Sequence, residues 1–114
     1  MYYEEKIYKV LNEAKLKPSF TKKAQAILKK ELGSDIEVKK TYDGAVLKAS
    51  GKSHGINIDY QDHALYGDTF EIYPVDERGY NKGTGADIEQ NENENDALKG
   101  IAKLAKKYKK LLQK

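Results

Sequence analysis

Residues 36–49 read IEVKKTYDGAVLKA, and this stretch decides the fold class. Ile36 and Val38 alternate with Glu37 and Lys39, the period of a strand with one buried face. Asp43-Gly44 is a strong signal for a two-residue hairpin turn, because those residues accept the left-handed backbone such turns demand. The first strand then runs from Ile36 to about Tyr42, and Ala45 to Ala49 returns beside it. After a Ser50–Gly55 loop, Ile56, Ile58 and Tyr60 alternate with Asn57 and Asp59. Beyond a turn around His63–Asp68, Thr69 to Val75 forms a fourth strand, with Phe70 and Ile72 inward and Glu71 and Tyr73 outward. Pro74 has no amide to donate to a ladder, so this strand is an edge or ends there.

On either side the period lengthens to that of a helix. Tyr3, Ile7, Val10, Leu11 and Ala14 share one face of residues 2–16, and Pro18 ends that helix. Ser19 or Thr21 can cap a second helix reaching Leu32, with Gly33 at its C-terminal stop. Its apolar face is Phe20, Ala24, Ile27, Leu28 and Leu32. A last helix, capped by Asn95 or Asp96, carries Ile101, Leu104, Tyr108, Leu111 and Leu112 on one side. Residues 77–95, with Gly79, Gly83, Gly85 and a polar run from Glu89, read as a long loop. The expectation is a single domain over residues 1–114 with α+β architecture in ααββββα order. It is a four-stranded antiparallel meander with helices packed on one face.

The chain has no cysteine, which excludes disulfides, thiolate metal sites and cysteine nucleophiles. No stretch approaches the ~18–20 apolar residues of a membrane span, and Glu4 and Glu5 stand where a secretory signal needs a basic and then an apolar run. A cytoplasmic protein without a membrane partner is expected. The net charge of +3 conceals a segregation: residues 1–32 carry +4, residues 33–96 carry −8 and residues 97–114 carry +7. Basic ends bracket an acidic middle.

Several patterns suggest chemistry and stop short of it. Gly51-Lys52-Ser53 matches the tail of a phosphate-binding loop, but position 46 is Val where that loop needs glycine, and a strand follows instead of a helix. Glu37-Val38-Lys39 matches half of a metal-dependent nuclease site and lacks an aspartate on an adjoining earlier strand. His63 stands beside Asp62 and near Asp59 and Asp68, a poor set for a transition metal. Ser53 beside His54 is adjacency without a triad. Asp87, Glu89, Glu92, Glu94 and Asp96 lack the fixed offsets of a calcium loop. No catalytic residue, metal or cofactor is assigned, and the chain reads as a non-enzymatic binding protein.

The lysines are the best candidates. Residues 97–114 hold seven lysines and no acid. At roughly 100° per residue, Lys99, Lys103, Lys106, Lys107 and Lys110 fall within an arc of about 100°. Lys22, Lys23, Lys29 and Lys30 form a shorter stripe on the second helix. Such stripes offer ammonium groups to the phosphates of nucleic acid or of a nucleoprotein complex, although no aromatic lies within the stripe to stack on a base. An α–βββ–α order with a lysine-rich last helix resembles double-stranded-RNA-binding domains, although this chain has an extra strand and a second helix before the sheet. Their critical lysines open the last helix, where this chain has Glu94, Asn95 and Asp96. Acidic or basic protein partners are the alternative, in a small inhibitor or adaptor of the type mobile elements direct against host defence. It would use Tyr73, Glu71, Tyr66 and Asp68 on the strand surface.

Overall fold

The computed structural model describes residues 16–63, 67–83 and 89–114, without the side chains of residues 62, 63, 67, 68, 89 and 90. Its elements are α1 (Pro18–Leu32), β1 (Ile36–Lys40), β2 (Gly44–Ala49), β3 (Gly55–His63), β4 (Gly67–Val75), β5 (Glu89–Asn91), α2 (Glu94–Lys107) and α3 (Lys109–Leu112). The strands form one antiparallel meander in the order β1-β2-β3-β4-β5. Among the described residues no helix is long and apolar enough to cross a membrane. The helix expected over residues 2–16 lies outside the described residues, except for Leu16, which packs against the core.

Alternation along the strands makes one sheet face apolar. Ala45, Leu47, Ile56, Ile58, Phe70 and Ile72 point to the same side and are each at most 2% exposed. Phe20, Ala24 and Leu28 from α1 and Ala97, Ile101, Leu104 and Ala105 from α2 cover that face in a single cluster. Each large side chain sequestered there stabilises the fold by about 1.5–3 kcal/mol. Phe70 links the layers, its ring 5.0 Å from Phe20 and 4.9 Å from Tyr60, both tilted.

The α+β class and the run of antiparallel strands agree with the sequence; several boundaries do not. Pro18 opens α1 at its first position, because a helix start has no use for the amide that proline lacks. Neither Ser19 nor Thr21 caps it; Lys17 occupies that place, and the Thr21 hydroxyl donates to the Lys17 carbonyl. Gly33 ends α1 with φ 72° as expected. The α2 cap is Asn93, two or three residues before the expected Asn95 or Asp96, its side chain accepting from the Asp96 amide at 2.9 Å.

The stretch expected as loop is partly built. Asp76 folds it back, accepting from the Arg78 and Tyr80 amides at 2.9 and 3.0 Å and pairing with Lys82 at 3.5 Å. Burial alone would raise the Asp76 carboxyl, yet these amides and the Lys82 ammonium hold it below the ordinary carboxylate range. Further on, β5 pairs Asn91 with Phe70 and Glu89 with Ile72. Pro74 lies beyond β5, and its carbonyl accepts from the Lys82 amide. Its missing amide therefore points to the side where β4 has no strand neighbour. At the opposite edge, Gln25 of α1 donates to the Ile36 carbonyl at 2.9 Å.

The β1–β2 hairpin turns one residue earlier than its sequence suggests. The Thr41 amide donates to the Gly44 carbonyl and the Gly44 amide to the Thr41 hydroxyl, so Tyr42 and Asp43 form the turn. Neither has a positive φ. Gly44 is needed for another reason: it lies opposite Asp59 in β3, and a Cβ there would collide with the Ile58 carbonyl. Gly44→Ala is therefore expected to destabilise the protein by about 1–3 kcal/mol, the range for overpacking. Urea unfolding measures this, and an unchanged midpoint would contradict the close approach.

Candidate nucleic-acid interface

Two layers decide where the lysines go. α1 and α2 pack against each other and turn their apolar faces to the same side of the sheet. Lys22, Lys23, Lys29 and Lys30 are exposed on α1, and at roughly 100° per residue they centre opposite Phe20, Ala24, Leu28 and Leu32. Lys99, Lys103, Lys106 and Lys107 on α2 and Lys110 on α3 are likewise exposed and lie away from Ala97, Ile101, Leu104 and Leu112. Both lysine stripes thus belong to the side of the helical layer remote from the sheet. Lys29 meets Asp35 at 3.0 Å, an exposed pair of small energetic weight.

The acidic middle does not interleave with these lysines along the helix. Glu94 and Asp96 sit in the first turn of α2, where the helix dipole favours them. Lys106 to Lys110 lie at the other end, roughly 20 Å away along the axis. The dipole favours cations there, and it offsets part of the mutual repulsion of the lysines.

Tyr108 interrupts the helix, with φ −105° and ψ 22°. Beside the break is an open depression of about 610 Å³ lined by Lys106, Lys107, Tyr108, Lys109, Lys110, Leu111 and Gln113. On an uninterrupted helix those seven residues would point in every direction; the break lets them line one hollow. Lys109, outside the stripe read from the sequence, therefore joins it. Tyr108, expected on the apolar face, is half-buried against the core and also lines the hollow. The Lys107 ammonium lies 5.7 Å from its ring centroid, within cation–π range. An aromatic is thus present among the lysines, contrary to the sequence reading. Only the absence of a glycine or proline near the break hid it.

The outer sheet face carries the second set of candidates. Tyr73 is half-exposed, and its hydroxyl donates to Asp59 at 3.0 Å. Burial first, and then the Asp59, Glu71 and Asp43 carboxylates, push this phenol up to about 12. Between Tyr73 and Val46 lies Asn57, 7% exposed, whose Nδ2 has no hydrogen-bond partner among the described residues. Glu71 is half-exposed on the same face. Tyr66 and the Asp68 side chain lie outside the described residues.

Elsewhere the geometry is structural. Lys52 closes a turn on the Ala49 carbonyl after Gly51 at φ 77°. Glu37 is engaged by Lys48 at 3.8 Å and the Ser50 hydroxyl at 3.2 Å. Ser53 lies 2.7 Å from His54 Nδ1, while its amide and hydroxyl both donate to the Lys114 carbonyl. The one hydroxyl proton of Ser53 has two acceptors within reach, the Lys114 carbonyl and, in one tautomer, His54 Nδ1. The His63 side chain is outside the description. Among the described residues, no three His, Cys, Asp or Glu side chains gather as a metal site.

Comparison of the chain with known protein families, curated proteins and solved structures finds no match.

The Tyr73–Asp59 pair predicts an alkaline signature. Because the folded phenol titrates above its ordinary value of 10.0, its contribution to stability is present below that value and fades as pH rises through about 12. An ultraviolet tyrosinate titration of Tyr73→Phe should lack the latest step seen in the wild type. An unaltered curve would show that Tyr73 is not the delayed phenol.

Proposed function

We propose that this protein is a non-enzymatic binding domain that docks the lysine-rich side of its helical layer on nucleic acid or on a nucleoprotein complex. One observation carries the reading: an acid-free segment, residues 97–114, presents its lysines on the side away from the core. The acids of α2 are confined to its opposite end. Lys99, Lys103, Lys106, Lys107 and Lys110 make the main contacts, and Lys22, Lys23, Lys29 and Lys30 extend them.

Lysine supplies a mobile point charge without the planar fork of arginine, so the binding is electrostatic and indifferent to sequence. Phosphate neutralisation releases counterions, and the logarithm of affinity then falls with the logarithm of salt by roughly 0.9 per contact on duplex DNA. Four to six contacts make that dependence steep.

A second reading has its own observation. The buried Asn57 donor without a partner, flanked by Tyr73, Asp59 and Glu71, suits an inhibitor or adaptor that binds a basic protein through the outer sheet face.

The two readings separate by mutation. Lys106→Glu combined with Lys110→Glu is expected to weaken binding to a fluorescent duplex by about tenfold or more at low salt, the scale of losing two phosphate contacts and adding two repulsions. Tyr73→Ala should leave that binding unchanged. Passage of the wild type through heparin at low salt without retention would overturn the nucleic-acid reading. A protein partner lost with Tyr73→Ala, yet kept in the lysine reversals, would establish the other.

A further inference from the structure

Beside the break at Tyr108 the lysine surface is hollowed. A stripe on a straight helix is convex, and it meets a polyanion through isolated side chains. The hollow of about 610 Å³ is concave and lies among Lys106, Lys107, Lys109 and Lys110. Tyr108 and Leu111 line it together with these lysines and Gln113, and lysine stems can cover apolar surface while keeping their charges in water. A hollow that brings an aromatic and a leucine together with four lysines suits a planar apolar group that carries anions on either side.

We infer that this hollow seats one nucleotide of a single-stranded nucleic acid, with the base against the Tyr108 ring and the flanking phosphates on Lys106, Lys109 and Lys110. The inference rests on the nucleic-acid reading above and sharpens its ligand from polyanions at large to single strands. Bases in a duplex are stacked inside the helix and cannot enter the hollow, whereas a splayed base in a single strand can. Every base offers a ring face, so the seat is tolerant of sequence. Lys107, over the ring at 5.7 Å, swings from the ring to a phosphate as the base enters.

The test compares a thymidine oligonucleotide with an abasic strand of the same length, which keeps the phosphates and removes the bases. Fluorescence anisotropy at low salt is expected to give about 5- to 100-fold tighter binding of the thymidine strand, the range that stacking on one aromatic supplies. Tyr108→Phe should keep this difference. Tyr108→Ala should abolish it while leaving abasic-strand and duplex binding as in the wild type, and that unchanged binding also checks that the variant folds. Equal affinity of the wild type for thymidine and abasic strands would overturn the seat and leave the broader electrostatic reading standing. Failure to bind any strand or duplex would overturn both. Competition by polyglutamate as effective as that by the thymidine strand would also overturn it, since carboxylates without bases would then suffice.

Discussion

The apolar layer between Phe20 and Leu28 of α1, Ile58 and Ile72 of the sheet, and Ile101 and Leu104 of α2 is the constraint on which everything else depends. A domain of this size has apolar residues enough for one such layer. The described helices α1 and α2 therefore cover the same sheet face, and polar side chains such as Asp59, Glu71 and Asn57 lie on the other. Once α1 and α2 commit their apolar sides to that layer, their lysines have nowhere to go but outward on a common side. The charge distribution is thus a by-product of the core. What composition reports as +3 becomes, in three dimensions, a cationic helical side and a more acidic, tyrosine-bearing sheet side around Asp59, Glu71 and Tyr73.

The described part of the acidic middle is tied into the fold. Part of the middle is structural: β5 pairs with β4, Asn93 caps α2, and Asp76 ties a turn. Each carboxylate or amide so used serves backbone amides that would otherwise lack a partner. The first turn of α2 accepts Glu94 and Asp96 and its last turn accepts Lys106 and Lys107, so the dipole sorts the charges along the axis. Acids and lysines share one helix without forming an alternating surface.

Much of the fold is legible in the residues because hydrophobic period is a local property. Ile36 to Val75 announces its strands, and Phe20 to Leu32 its helix, without knowledge of neighbours. What escapes is set by contacts distant in sequence. Gly44 looks like a turn glycine, yet its necessity comes from the Ile58 carbonyl in the next strand. Glu89-Gln90-Asn91 has little strand propensity and is recruited by open backbone groups of β4. Tyr108 carries the apolar period of its helix, and neither Lys107 nor Lys109 hints at a break. For that reason the lysine stripe is readable from spacing, whereas the hollow and the membership of Lys109 in it are not.

The Gln25–Ile36 hydrogen bond bears on how this molecule meets its own copies. A meander has two open margins, and an exposed margin invites another chain to add a strand. At β1 one such carbonyl is already engaged from the helical layer, and Lys39 and Lys40 beside it are exposed cations. A second copy approaching in register would meet a blocked acceptor and two like charges. At that one acceptor the margin is satisfied from within the chain, by a neutral amide whose hydrogen bond salt does not screen.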